Sequence, residues 1–528
     1  MKKLNIYLLI IAISTFSCKK VLDVSSFTSI TDATAFETAD RCLLSLNGVY
    51  DAAQSGPYAG GTERRGYPFG AANIEQGDAR GEDVINIAAF YQITYQGTYN
   101  GTSANCVAMW DNAYGLINKA NICIEGFKGA STSGILPAAT AIQYEAECRF
   151  LRAMAHHEVL LHWARPYLDG NGDKMGIPYR DFPVNSGTKA EELRTLPRMR
   201  VDSVYTNILA DLDFAETNLP ALQTGTAAGL STYRATKGAV IALKMRIKLH
   251  KGDWAGVIAE GSKLVPATAP YVSPVGGWTL TASPDGPFAS NITKESVFSI
   301  KNDALDAPSV NAGLAYMLGA TNLGGRGLVA VSPIIWNNPG WLCTDKRRSL
   351  LYVAGGNANG SQSYLTTKYK DYVNRSDYAP QIRYAEVLLT LAEAEARSAA
   401  GVSARAIELL NLVRNRSLAD PATEQYTAAS FADKVALVKA ILLERRIEFL
   451  FEGKRWGDIS RNAVDANYTT GGIPAKAVNG AAGLAIYACA TPYTAGQAGF
   501  AYSDYRFLWP VPTDEVTQNP IVKQNPGY

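Results

Sequence analysis

The sequence predicts an all-α protein, with amphipathic helices in pairs interrupted by long insertions rich in glycine and aromatic residues. Three stretches near the C-terminus carry that expectation. From Gln381, QIRYAEVLLTLAEAEARSA places Tyr384, Val387, Leu388, Leu391 and Ala392 at the i, i+3, i+4, i+7, i+8 spacing that lays one apolar stripe along a helix. After Gly401 a second stripe follows (Ala406, Leu409, Leu410, Val413), and after Pro421 a third (Val435, Val438, Leu442, Phe449). The third helix is expected to run on through ERRIEFLFEGKRWGDISRN, with Glu444, Arg445, Arg446, Glu448, Glu452, Lys454, Arg455 and Asp458 as a charged face of i,i+4 pairs.

From the N-terminus, Met1–Ser17 has two lysines, a short apolar run and small residues ahead of Cys18. The run is shorter than the roughly 20 residues that cross a bilayer, so it reads as a secretory leader, and a cysteine directly after it reads as a lipidation site. Residues 31–54 begin with capping residues and turn Leu43, Leu46, Val49 and Tyr50 inward on a helix. Residues 55–103 change to glycine, tyrosine and turn residues, an irregular surface segment. Helices are expected again over 104–127 and 138–167, where W-x₃-Y-x₂-I and A-x₃-F-x₂-A spacings match the large-into-small packing of tetratricopeptide helix pairs. Residues 201–219 and 236–265 continue the series, the latter as helix, Gly-Asp turn, helix. With the pair ending at Ser417 this makes four units. The insertions 266–380 and 463–503 have no long apolar period; short pieces such as SVFSIK are strand-like, and loops this long in a compact protein are usually functional. WPVPTDEVTQNP, stiffened by proline, is expected to lie extended along the surface.

With 528 residues, 47% hydrophobic and 19% charged, the chain can bury a large core. Its formal charge of +2 includes Lys2 and Lys3 of the leader, and no basic run follows, so no nucleic-acid footprint is present. Besides Cys18 there are Cys42, Cys106, Cys123, Cys148, Cys343 and Cys489, without metal-ligand spacing; buried thiols are the expectation.

Catalytic patterns are missing. His157 and His162 are five residues apart, about 140° round a helix, which does not aim two imidazoles at one metal. There is no nucleophile elbow, phosphate loop or dinucleotide fingerprint, and Gly324–Gly327 lacks the strand and helix such a loop needs. Neither a cofactor nor a catalytic metal is expected; a structural calcium would have to be built from loop carboxylates and carbonyls, and no D-x-D-x-D-G spacing marks one. Aromatic residues are the better lead. Tyr91, Tyr95 and Tyr99 recur every four residues, and Trp278, Trp336 and Trp341 lie in the long insertion, with Asn73, Asp78, Arg80, Asn100, Asn337 and Asn338 as polar neighbours. Flat rings that stack on sugars beside groups that bond hydroxyls make a carbohydrate site, and these residues are the candidates.

Four segments in order, RYAEVLLTLAEA, ERRIEFLFEGKRWGD, FLWPVPTDEV and NPIVKQNPGY, closely resemble the SusD/RagB family of outer-membrane nutrient-binding lipoproteins. GEDV near Asp83, the Trp110–Asn121 pattern, DKRRSLLY at Asp345 and TKY at Tyr369 resemble family positions too. The resemblance implies a leader over 1–17 and one SusD-like domain over 18–528. The domain would be a right-handed superhelix of four tetratricopeptide-like helix pairs, its helical scaffold lying mainly in 31–54, 104–167, 201–265 and 381–462, with insertions 55–103, 266–380 and 463–503 forming the ligand face. It further implies a non-enzymatic, surface-exposed outer-membrane protein, held to the membrane only by its lipid anchor, that captures an oligosaccharide for a SusC-like TonB-dependent transporter. A peptide ligand is the first alternative and a glycan-cleaving enzyme the second.

Overall fold

The computed structural model describes residues 34–55, 66–308 and 310–528; the leader and Cys18 lie outside them. The helical scaffold runs in chain order through α1 (Ala39–Ser55), α2 (Ala71–Ala79), α3 (Ala104–Thr132), α4 (Ala138–Trp163), α5 (Val201–Asn218), α6 (Lys237–Lys251), α7 (Trp254–Leu264), α8 (Tyr384–Ser398), α9 (Ala404–Asn415), α10 (Lys434–Glu448) and α11 (Arg455–Arg461). From α3 to α9 each helix packs on the next, and α1 closes the array against α3. Local chemistry sets the ends. Thr236, Asp253, Ser403 and Asp433 cap α6, α7, α9 and α10 by accepting a backbone N–H two or three residues into the helix, and Gly252 closes α6 in the left-handed conformation.

The chain is mostly helical rather than all-α. Among the described residues are four two-stranded antiparallel sheets: β1 (Val84–Asn86) with β3 (Val329–Val331), β2 (Ser296–Ile300) with β6 (Ala379–Arg383), β4 (Tyr352–Gly356) with β5 (Gln362–Thr366), and β7 (Gly472–Ile473) with β8 (Phe500–Ala501). SVFSI is a strand, as its sequence suggests. Its partner corrects the expected helix start, because Gln381–Arg383 belong to β6 and α8 begins at Tyr384. The third C-terminal helix also breaks: after Phe449 the backbone turns, with Phe451 at φ 63° and Gly453 at φ 72°, before α11. The turn lets Gly77 of α2 approach so closely that a Cβ there would sit 2.7 Å from the Gly453 carbonyl oxygen. Residues 66–87 are buried rather than superficial. So are Trp509 and Val511, and the chain after them winds into a short helix, Thr513–Gln518. Trp509 is held inside by aromatic contacts with His162 and Trp163, and the Trp163 Nε1–H donates to the Pro510 carbonyl at 2.7 Å.

The expected solvated face of α10 is the largest correction, since its charges are interior. Arg383 pairs with Glu452 (2.8 Å), Glu448 (3.1 Å) and Glu295 (3.2 Å). Arg347 pairs with Glu444 (2.6 Å), Asp345 (2.7 Å) and Glu448 (3.2 Å). Arg416 reaches Glu448 at 2.8 Å and also pairs with Glu295, while Lys368 reaches Glu452 at 2.7 Å. With Arg414 near Glu444, five cations face the five carboxylates Glu295, Asp345, Glu444, Glu448 and Glu452, so the buried cluster is balanced. Burial alone would raise the Glu448 carboxyl, but Arg416, Arg383 and Arg347 outweigh it and hold the group at about 2. Arg446 reaches across to Asp83 (2.5 Å) and Glu82 (3.0 Å), and Arg445 and Arg461 both hold Asp458.

Glu448→Ala should therefore cost about 3–5 kcal/mol, because it leaves buried guanidinium groups unpaired. Glu37→Ala, which removes the exposed pair with Arg41, should stay within about 0.5 kcal/mol. Denaturant midpoints measure both, and equal losses would contradict an interior role for the cluster. A pH dependence arises on α2, where burial pushes Glu75 up to about 8 and Asp78 up to about 7. The unfolded chain releases the Glu75 proton near 4.5, so between there and about 8 the folded state holds a proton the unfolded state has lost. Stability falls as pH rises through that window. Glu75→Gln should flatten the loss of melting temperature between pH 5 and 8; parallel curves would exclude Glu75 as its source.

Candidate functional site

The three insertions meet. β1 of the first pairs with β3 of the second, and the Asn86 Nδ2–H donates to Asn479 Oδ1 of the third at 2.7 Å, while the Gly480 N–H donates to the Asn86 carbonyl at 2.8 Å. Ile85, Ile87, Ala330 and Ala477 form a small apolar cluster at this junction. Second and third insertions are also joined covalently, by a disulfide between Cys343 and Cys489 with Cα atoms 5.8 Å apart. This pair departs from the expectation of buried thiols, which Cys42, Cys106, Cys123 and Cys148 follow.

Around the disulfide lies a cluster of rings. Trp336 stacks on Tyr364 at 4.0 Å and 20°, and Tyr487 stands edge-on to Tyr364 at 5.0 Å. Trp341 and Tyr352 meet Trp336 edge-on from behind, at 5.5 and 6.1 Å. Two side chains fix this arrangement. Arg348 lies over both tryptophans and donates to the carbonyls of Trp336, Trp341 and Leu342 at 2.7–2.8 Å. Asn337 mimics a strand edge, donating to the Ile486 carbonyl at 3.0 Å and accepting from the Ala488 N–H at 2.8 Å. The Tyr487 hydroxyl donates to the Val331 carbonyl at 2.8 Å, and burial pushes it up to about 12. Tyr364 and Tyr487 are half-buried, whereas Trp336 and Trp341 are 6% and 0% exposed. The outer tyrosines can meet a ligand; the tryptophans support them. Gln362, two residues before Tyr364 on the same strand face, is exposed beside it, and Asn338 is half-buried.

The remaining residues singled out from sequence lie elsewhere. Tyr91 and Tyr95 are fully buried and Tyr99 is 4% exposed. Tyr95 donates to the Ala477 carbonyl at 2.8 Å and Tyr99 to the Arg506 carbonyl, so these tyrosines pin the first insertion to the C-terminal segments. Arg80 is buried with its guanidinium 3.5 Å above Trp456, and donates to the Phe507 carbonyl at 2.5 Å. Asp78 is buried beside Gly453, and Asn73 donates to Glu158 at 3.2 Å. Asn100 is exposed and accepts from the Thr102 N–H at 2.9 Å in the turn before α3. Trp278 is buried against Gly238, where a Cβ would come within 2.4 Å of its ring. His156, His157, His162 and His250 are core side chains; burial pushes His156 and His157 to about 3 and His162 to about 4. Tyr364 and Tyr487 were missed because nothing in their spacing separates them from other loop tyrosines.

Two family models match the chain: one described as the SusD family over residues 352–528, another as "Starch-binding associating with outer membrane" over 70–249. SusD-like protein P2 of Formosa agariphila is 26% identical over 463 residues, covering 80% of each chain. A SusD superfamily protein from Bacteroides fragilis superposes with a TM-score of 0.71 at 26% identity, over 93% of this chain and 100% of that one. A structure titled SusD-like carbohydrate binding protein, from Bacteroides vulgatus, has the same fold (TM-score 0.69, 17% identity, 92% and 97% covered). The matched segments span both halves of the scaffold and the elements that carry the joined insertions, and on them the chain belongs to the SusD/RagB family.

Proposed function

We propose that this protein captures an oligosaccharide at the outer membrane and passes it to a SusC-like TonB-dependent transporter, held to the membrane by lipid on Cys18. The observation that carries this reading is the convergence of three insertions on half-exposed Tyr364 and Tyr487, backed by Trp336 and clamped by Arg348. Rings fixed in this way stack on the apolar faces of sugars without losing much freedom on binding, and amides such as Gln362 and Asn338 bond the hydroxyls. The family description, which names starch binding and the outer membrane, supports the ligand class and the location, and the carbohydrate-binding protein of Bacteroides vulgatus that shares the fold supports the ligand class alone. SusD-family proteins are binding proteins without catalytic activity. In this reading Tyr91, Tyr95, Tyr99, Asp78, Arg80 and Trp278 hold the insertions in place, and the successive helix pairs form a tetratricopeptide-like right-handed superhelix.

Calorimetric titration of the soluble Lys19–Tyr528 chain with oligosaccharides and oligopeptides, assayed in parallel for released reducing ends, tests the ligand class. Saturable sugar binding without cleavage is expected. Tyr364→Ala combined with Tyr487→Ala should weaken it at least about tenfold, 1.4 kcal/mol, in a protein that still unfolds cooperatively well above the titration temperature. Peptide binding alone, or cleavage of a glycan, would overturn the reading. Deleting the transporter should abolish uptake while the purified protein still binds.

A further inference from the structure

A cleft of about 640 Å³ lies away from the ring cluster and shares no residue with it. Its floor is α1 and the first turns of α4, and its walls are the segment 223–234, which includes the short helix Leu230–Tyr233, and the segment 300–306. On α1 the stripe Leu43, Asn47, Tyr50, Gln54 repeats at i, i+4, i+7, i+11, the spacing a helix uses to bury a face against a neighbour. Here most of that stripe is polar, and it faces the cleft.

The floor is built rather than incidental. Glu147, with its side chain 0% exposed, accepts from the Tyr50 hydroxyl at 2.6 Å and from Arg234 Nη2 at 2.6 Å, and the Ala235 N–H donates back to the Tyr50 hydroxyl at 2.9 Å. The Arg234 guanidinium lies 5.6 Å from the Tyr50 ring and 5.9 Å from the Tyr144 ring, which fixes both rings beside one cation. Gln143 donates to Gln223 at 2.9 Å, tying the floor to the wall. At one end Tyr233 meets Tyr378 edge-to-face at 6.1 Å and 89°, and Tyr378 lines a second cleft of about 470 Å³. The two clefts therefore form a track marked by Tyr144, Tyr50, Tyr233 and Tyr378.

We propose that this track is a second carbohydrate-binding site, one that holds a further stretch of the same polysaccharide whose end occupies the Tyr364–Tyr487 site. Rings at intervals along a polar groove, without a dominant charge, fit a neutral polymer: each ring takes one sugar face, and the amides between them take hydroxyls. Two sites on one chain of sugars act together through effective concentration, so a polymer is held more tightly than a fragment that reaches only one. This inference rests on the glycan-binding reading above.

The test is affinity electrophoresis of the purified protein in gels containing soluble starch, xylan, mannan, mixed-linkage glucan, pectin or alginate, with calorimetry on a trisaccharide of the polymer that retards it. Tyr144→Ala combined with Tyr233→Ala should reduce retardation at least about fivefold while leaving trisaccharide affinity unchanged. The milder Gln143→Ala should do so by a smaller factor at wild-type melting temperature. Tyr364→Ala combined with Tyr487→Ala should weaken trisaccharide binding at least about tenfold but keep residual retardation. Retardation of the Tyr144/Tyr233 variant equal to wild type would overturn the second site and leave the first intact. Binding of casein-derived peptides that is lost in that variant, with polysaccharide retardation unchanged, would make the track a peptide site. Wild-type protein retarded by none of the polymers would overturn both glycan assignments.

Discussion

Everything else in this structure depends on the interior ion cluster around Glu448 and Arg383. It ties the residue before β2, β6, the residues after β5, the loop before β4, the end of α9 and α10 into one body, through side chains up to 121 residues apart in the chain. Hydrophobic contacts alone would let such elements slide, because apolar packing is non-directional. Charges withdrawn from water permit few arrangements, since each must find its partner in register or forfeit several kcal/mol. The helices can thus carry long insertions without losing their relative positions.

The same cluster explains which features of the sequence were legible. GEDV supplies Glu82 and Asp83, DKRR supplies Asp345 and Arg347, TKY supplies Lys368, RYAE supplies the Tyr384–Glu386 start of α8, and ERRIEFLFEGKRWGD supplies Glu444 through Asp458. The words that betray the family are the parts of its framework. Helical periodicity was equally readable, and the ends of α3, α5, α6 and α7 fall within a few residues of where spacing and capping chemistry put them. What spacing could not convey was direction: a helix face studded with Glu and Arg reads as solvated unless its partners, remote in the chain, are known.

The ring cluster was half legible for a related reason. Trp336 and Trp341 pointed to the insertion that carries most of the ring cluster, but a large aromatic residue in a loop is more often support than surface, and both are covered. Their outer neighbours Tyr364 and Tyr487 come from different insertions and are brought together by a hairpin, a disulfide and the Asn337 amide. The tyrosines spaced four apart before α3 fell inside, where the hydroxyls of Tyr95 and Tyr99 satisfy carbonyls of the C-terminal segments. A ring cluster assembled from separate insertions is a property of the assembly, whereas framework residues carry a local signature.

The distribution of sulfur imposes an order on biogenesis. Cys343 and Cys489 are 146 residues apart, and they meet only after the second and third insertions have docked on the scaffold. Cys42, Cys123 and Cys148 belong to the first helices of the chain, where closing the array of α1, α3 and α4 removes them from solvent. A chain emerging into an oxidising compartment must bury these thiols before it oxidises, because an early bond between any of them and Cys343 would trap the insertion away from its seat. A vectorial process, with the N-terminal helices packed first and the cross-link closed last, satisfies that requirement, and the order of elements along the chain already provides it.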